Sequence, residues 1–250
     1  MKIGAQLYTL KPHCRTLDDF AESLERVADM GYQNVQVSAT CEYEAAWLKQ
    51  QLDKNGLTCA ITHISLEKLT GSLPQVIEDH RVFDCRRIGL GCVYYNEDDL
   101  SAQLERVRNT FRQIGRGLAE AGDIFMIHNH KTEFRKLNGK TVLEHLAEDL
   151  SPEEAAFTFD VYMAQAAGAD PAAWLEKLSG RVPCVHLRDH AYDGTNCVLG
   201  EGNINFDRVL ASAEKAGVEY LLVELAVPAG ENAFDWLKRS YDFLRSRGLS

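Results

Sequence analysis

Five glycines, Gly31, Gly56, Gly122, Gly180 and Gly217, each close a helical stretch just before an apolar run. Glycine accepts the left-handed backbone that ends a helix, so each marks a stop. A helix stop followed at once by a strand, five times over, predicts repeated β/α units. Eight runs read as strands: KIGAQLY (2–8), NVQVS (34–38), TCAITHI (58–64), CRRIGLG (85–91), IFMIHNH (124–130), AFTFDV (156–161), PCVHLR (183–188) and YLLVEL (220–225). Helical patterns cover 16–31, 42–56, 72–85, 97–122, 141–150, 171–180, 206–217 and 232–248. Their apolar residues recur at three- and four-residue spacing, as in Phe20, Leu24 and Val27. Thr16 or Asp18 can cap the first helix, and Pro171 suits the first turn of the sixth. Several strands lack polar alternation, as expected of a sheet covered on both faces.

Eight units in 250 residues give a period of about 31 residues, the scale of a compact barrel. The expected fold class is α/β, a single (β/α)8 barrel spanning 1–250. A doubly wound open sheet is the alternative. Neither IGLGCVYY nor GEGNIN completes the G-x-G-x-x-G fingerprint that would support it. Hydrophobic residues make up 45%, enough for a sizeable core, and the formal net charge is −10. That charge argues against a nucleic-acid surface, although a bound cation can locally reverse the field.

The seven cysteines are odd in number and none is spaced as CxxC. Cys59, Cys92 and Cys184 sit in apolar runs as small core residues, which suits a reducing compartment. MKIGAQLYTLKPHC has too short an apolar stretch for a signal peptide. No run approaches the ~20 apolar residues of a membrane helix. A soluble, cytoplasmic protein is expected, with no membrane partner and with room for a homo-oligomer.

Four late strands end in metal-ligand residue types: Glu133, Asp160, His186 and Glu224 lie roughly one β/α unit apart. In a parallel barrel those ends converge on one mouth, where active sites sit. Acid and imidazole without cysteine suit Mn²⁺ best, with Zn²⁺, Co²⁺ or Mg²⁺ also acceptable. Taken singly, Asp160 reads equally as a helix cap. Glu224, inside the apolar run LLVELA, is costly to bury unless paired or metal-bound. His128 and His130 flank Asn129; in a strand both imidazoles share one face, and an imidazole is a natural proton shuttle. His130 is the expected base, with Glu133 or Glu224 in reserve. Gln6, Tyr8, Gln36 and His63 can hydrogen-bond sugar hydroxyls. Arg188 and Asp189 can support His186 or bind an anionic substrate group. GEGNINF (200–206) is a loop whose glycines permit close approach to a ligand.

With these residues placed, the chain resembles the xylose isomerase-like TIM barrel superfamily of sugar-phosphate isomerases and epimerases. The resemblance runs through IGAQLYTL, GLTCAITHISLEKL, IHNHKTEF, FDVYMAQAAGADP, VHLRD and LGEGNINFDRVLASAEKAGVEYLLVEL. It implies a divalent metal held by a fifth-strand acid, Asp160, His186 and Glu224. It also implies proton movement beside a carbonyl through a metal-stabilised enediolate. Glu133 is the expected fifth-strand ligand and His128 the alternative, since many relatives carry Glu where this chain has His128. Ketose-epimerising relatives often carry His where this chain has Met163. The superfamily's three-metal DNA-repair endonucleases have a fuller ligand set than this acidic chain. The leading expectation is a metal-dependent sugar isomerase or epimerase. A lyase eliminating from 3-keto glycosides and a non-catalytic sugar-binding barrel are the alternatives.

Overall fold

A computed structural model describes residues 1–93, 95 and 99–249. Eight parallel strands close into a barrel: β1 (Lys2–Gln6), β2 (Asn34–Val37), β3 (Thr58–His63), β4 (Arg87–Leu90), β5 (Ile124–His128), β6 (Ala156–Asp160), β7 (Cys184–Leu187) and β8 (Tyr220–Val223). Each strand pairs with its chain neighbours, and β8 closes on β1 with Lys2 opposite Tyr220. The (β/α)8 expectation therefore holds.

The helices are α1 (Leu17–Asp29), α2 (Ala45–Lys54), α3 (Leu66–Gly71), α4 (Leu73–Val82), α5 (Leu100–Glu120), α6 (Val142–Asp149), α7 (Val161–Ala166), α8 (Pro171–Lys177), α9 (Phe206–Lys215) and α10 (Ala233–Ser246). Thr16 caps α1 by accepting from the Asp19 amide at 3.1 Å. The expected start of the fifth helix at 97 lies outside the described residues. Two six-residue helices, α3 and α7, were not expected. Nor were two antiparallel hairpins, Lys136–Leu137 with Lys140–Thr141 and Asp189–His190 with Asn196–Cys197.

Every strand ends short of its apolar run, and this changes the placement of three site candidates. Tyr8 belongs to the 3-10 turn Leu7–His13, not to β1. Strand β5 stops at His128; His130 opens the 3-10 turn Lys131–Phe134, so the two histidines do not share a strand face. Glu224 follows the last residue of β8.

The barrel interior explains why the mouth is polar. Side chains two apart on a strand share a face. Ile61, Met126, Cys184 and Leu222 belong to a buried apolar cluster distinct from the main core. Two residues further along the chain stand His63, His128 and His186, at or next to the ends of their strands, and Glu224 just past the end of β8. A dry apolar layer thus underlies a polar one, as in the layered filling of such barrels. Gly4 is needed in the wall of this interior, where a Cβ would stand 2.6 Å from Leu222 Cδ2 and 2.9 Å from the Asn34 carbonyl oxygen.

A second close approach lies outside the barrel. At Gly115 of α5 a Cβ would stand 1.8 Å from the Glu154 carbonyl oxygen. Alanine in mid-helix ordinarily gains about 1 kcal/mol over glycine. Here the backbone clash outweighs that gain, because α5 and the segment before β6 must separate. Gly115→Ala is expected to cost about 3 kcal/mol and to lower Tm by roughly 6–12 °C. Thermal unfolding followed by circular dichroism checks this; a Tm within about 2 °C of the parent would remove the argument.

Candidate metal centre

His128, Asp160, His186 and Glu224 come from or directly follow four adjacent strands, β5, β6, β7 and β8. One ligand atom from each lies within 4.8 Å of all the others. All four side chains are buried, Asp160 and His186 completely. His186 Nδ1 stands 2.6 Å from Glu224 Oε2 and 3.1 Å from His128 Nε2. His128 Nε2 stands 3.6 Å from Asp160 Oδ2.

The far side of each ring fixes its tautomer. His128 Nδ1 lies 3.0 Å from the Gly91 carbonyl oxygen, and His186 Nε2 lies 2.6 Å from Gln36 Oε1. Both oxygens only accept, so each far nitrogen carries the hydrogen and donates it. The near nitrogens, in the neutral rings, then present lone pairs to two carboxylates and to each other. Four acceptors this close favour positive charge among them. Arg188 supplies one charge to the two carboxylates, and a cation between the four groups would supply the rest. Bonds of ~2.0–2.2 Å to nitrogen and oxygen fit that spacing, and an oriented imidazole is the usual supporting arrangement. The donor set therefore fits a divalent cation. Strand β2 carries a register shift between Val35 and Gln36, and such irregularities re-aim side chains; here the amide reaches His186.

The electrostatics follow from burial and neighbours. Burial raises the Asp160 and Glu224 carboxyls, but Arg188 leads the opposing charges and both settle below their usual range, Glu224 well below. Burial lowers the His186 imidazole. It also works against protonation of His128, yet Asp160 and Glu224 outweigh it and that ring is raised. Burial, then His128 and His186, hold His63 well below its ordinary value.

Glu133, expected as the fifth-strand ligand, is not in the four-residue group. Its Oε2 accepts from the His130 amide at 2.7 Å and from Thr132 Oγ1 at 3.1 Å. The chain turns at His130, so this buried carboxylate ties down the turn while His128 faces Asp160, His186 and Glu224. Asp160 combines both of its expected roles. Oδ1 caps α7 through the Met163 amide at 2.8 Å, leaving Oδ2 to face inward.

Arg188 does not line the mouth cavity; its Nη2 donates to Asp160 Oδ2 and Glu224 Oε1, both at 2.8 Å. Gln6 Nε2 donates to Glu224 Oε2 at 3.4 Å. Gln6, Tyr8 and His63 line a cavity of about 260 Å³ together with His128 and Glu224. A neighbouring cavity of about 220 Å³ shares Ser38, Ala39 and His63 with it. Ala39 holds a left-handed φ of 57° at this rim, a strained backbone that tends to cluster at functional sites. His130 does not line that cavity, but its ring centroid is 4.5 Å from that of His128, and its buried Nδ1 has no hydrogen-bond partner.

Two supports escaped the sequence reading. Asn129 is fully buried and pairs with the backbone of Asp160, accepting from its amide at 3.0 Å and donating to its carbonyl at 3.5 Å. It locks the end of β5 to the end of β6. A buried amide between two histidines is the signal that could have shown it. Gln36, read as a sugar-binding group, instead orients His186. The GEG loop also has a structural explanation. Asp189 accepts from the amides of His190, Gly200, Gly202 and Ile204 at 2.8–3.1 Å. A Cβ on Gly202 would meet Asp189 Oδ1 at 2.4 Å.

Fold and site define a (β/α)8 barrel with an acid–imidazole centre at the carboxyl ends of its strands. The chain belongs to the xylose isomerase-like TIM barrel family, whose sequence profile matches residues 24–247. It is similar in structure to a sugar phosphate isomerase/epimerase from Parabacteroides distasonis, with a TM-score of 0.85 and 21% identity over 98% of this chain and 93% of the other. It is also similar to an L-ribulose 3-epimerase, with a TM-score of 0.76 and 14% identity over 98% and 94% of the two chains. Among curated proteins, an uncharacterized protein of Methanocaldococcus jannaschii is 33% identical over 81 residues, a match covering 31% of this chain and 27% of that protein. Among the described residues, no helix is long and apolar enough to cross a membrane.

Proposed function

We propose that this barrel is a divalent-cation-dependent isomerase or epimerase of a sugar or keto-sugar. The supporting observation is the convergence of four lone-pair donors, from His128, Asp160, His186 and Glu224, at the barrel mouth. Mn²⁺ is the favoured cation, with Zn²⁺, Co²⁺ or Mg²⁺ as alternatives, because the donors are nitrogen and oxygen without sulfur. Held by these four residues, a divalent cation supplies Lewis acidity toward a substrate carbonyl and so acidifies the neighbouring C–H.

The chain's own residues then bind substrate and move the proton. Gln6, Tyr8 and His63 face the cavity and offer hydrogen bonds to sugar hydroxyls. His130 is the proposed base, on the grounds of its position against His128 and its unpartnered Nδ1. Glu133 positions it by holding the His130 amide. A net charge of −10 favours a small polar substrate over a nucleic acid. A single domain acting in the cytoplasm is consistent with this chemistry.

The test is exchange of substrate C–H into deuterated water, screened over aldoses, ketoses and 3-keto glycosides with Mn²⁺. Exchange with interconversion of sugars supports the proposal. Release of an aglycone without interconversion replaces it with elimination. His130→Ala is expected to lose turnover by about 10²-fold or more while keeping its bound metal. Exchange as fast as in the parent would move the base to Glu133 or Glu224.

A further inference from the structure

Arg188 stands where the two carboxylates of the centre meet. Arg188 is only 5% exposed. It directly follows Leu187, the last residue of β7. One nitrogen, Nη2, reaches both Asp160 Oδ2 and Glu224 Oε1 at 2.8 Å. The guanidinium carbon lies 5.0 Å from the Tyr162 ring centroid, and the buried Nε has no partner.

Asp160 has only one inward oxygen, because Oδ1 is taken by the Met163 amide. A cation on that carboxylate therefore shares its oxygen with Arg188. An oxygen with two lone pairs can serve both. The two positive charges then stand on the order of 5 Å apart, given ~2.1 Å metal–oxygen bonds, and burial leaves them poorly screened.

We propose that Arg188 is a positioning residue that sets the charge of the centre. It weakens the hold on the divalent cation and, in exchange, keeps the loaded centre net positive. This inference rests on the reading of the four residues as a cation site. Two opposing effects decide its sign. Arg188 relieves repulsion between the carboxylates, which favours a formed site. It also repels the cation, which disfavours filling it. The carboxylates have other anchors: the Met163 amide for Asp160 and the Gln6 amide for Glu224. Their placement survives without Arg188, so the charge effect dominates. With two carboxylates, two neutral imidazoles and Arg188, the loaded centre carries one positive charge, suited to an oxyanion developing on the substrate.

Mn²⁺ titration against a competing chelator tests this in the metal-depleted parent, Arg188→Gln, Arg188→Lys and Asp160→Asn. Arg188→Gln is expected to bind Mn²⁺ about 10-fold more tightly, at the lower edge of effects seen for residues supporting metal ligands. Arg188→Lys keeps the charge and should stay within about threefold of the parent, below that range. Equal or weaker binding by Arg188→Gln overturns the proposal. If Arg188→Gln purifies only with metal, its rate of Mn²⁺ loss to excess chelator replaces the titration: slower than the parent supports the proposal, equal or faster overturns it. Equal binding by the parent and Asp160→Asn would instead overturn the cation site itself.

Discussion

Asp160→Asn and Glu224→Gln are each expected to lose about 100-fold or more in Mn²⁺ affinity, beyond the range typical of supporting residues. Turnover should fall with the metal. The amide replacements are chosen because Asp160 has two tasks. Alanine at 160 would also remove the cap on the Met163 amide, at about 1 kcal/mol. Asparagine can keep that cap while removing the charge. Losing one carboxylate leaves the other facing Arg188, so the pair is neutral and its pull on a divalent cation collapses. A parallel pair separates the fifth-strand alternatives: His128→Ala should lose the metal and Glu133→Ala should retain it. Metal content after dialysis reads all four variants. Full occupancy in both Asp160→Asn and Glu224→Gln would place the cation, if any, elsewhere.

The fold was legible because its signal is repeated. The glycine stops at 31, 56, 122, 180 and 217 all adopt positive φ, and the apolar runs they precede become strands. What was lost lies at the scale of single turns. Helices α3 and α7 span six residues each, too short for a 3.6-residue pattern to accumulate. The strands of the two hairpins are shorter still, at two residues each. Strand ends were overrun because apolar character continues past the last strand residue, as at Leu225 and Ile64, which pack with the core from outside the strands.

The centre was legible in its residue types and less so in its geometry. Asp160, His186 and Glu224 were placed by the strand-end argument alone, because position at a strand end is set by topology. The choice between His128 and Glu133 depended on where β5 stops. The turn at 131–134 reverses the chain within a few residues, and no periodicity reports that. Gln36 and Asn129 act through one oxygen on one partner, which composition and spacing do not encode. Arg188 was visible as a cation near His186, but its attachment to Asp160 and Glu224 required the three strands to be assembled.

Asp189→Ala is expected to lower stability by roughly 4 kcal/mol, since it removes a carboxylate receiving four backbone amides. Each charge-assisted hydrogen bond is worth about 1.5–3 kcal/mol. Water can reach part of the loop, where Gly200 and Asn203 are exposed, so the four do not add in full. The corresponding fall in Tm is roughly 8–16 °C. The change should also reach the centre. Asp189 opens the hairpin whose other strand carries Asn196, and Asn196 exchanges two 2.7 Å hydrogen bonds with the backbone of Ala226. The same loop thus steadies the chain just after His186 and just after Glu224. A tenfold loss of Mn²⁺ affinity is expected, about the effect of removing a supporting residue. Asp189→Asn should fall between, keeping one acceptor but turning an amide N–H toward backbone donors. Calorimetry and the metal titration check both readouts. A Tm within about 3 °C of the parent, with unchanged metal affinity, would mean that the glycine-rich loop holds its shape without the carboxylate at its centre.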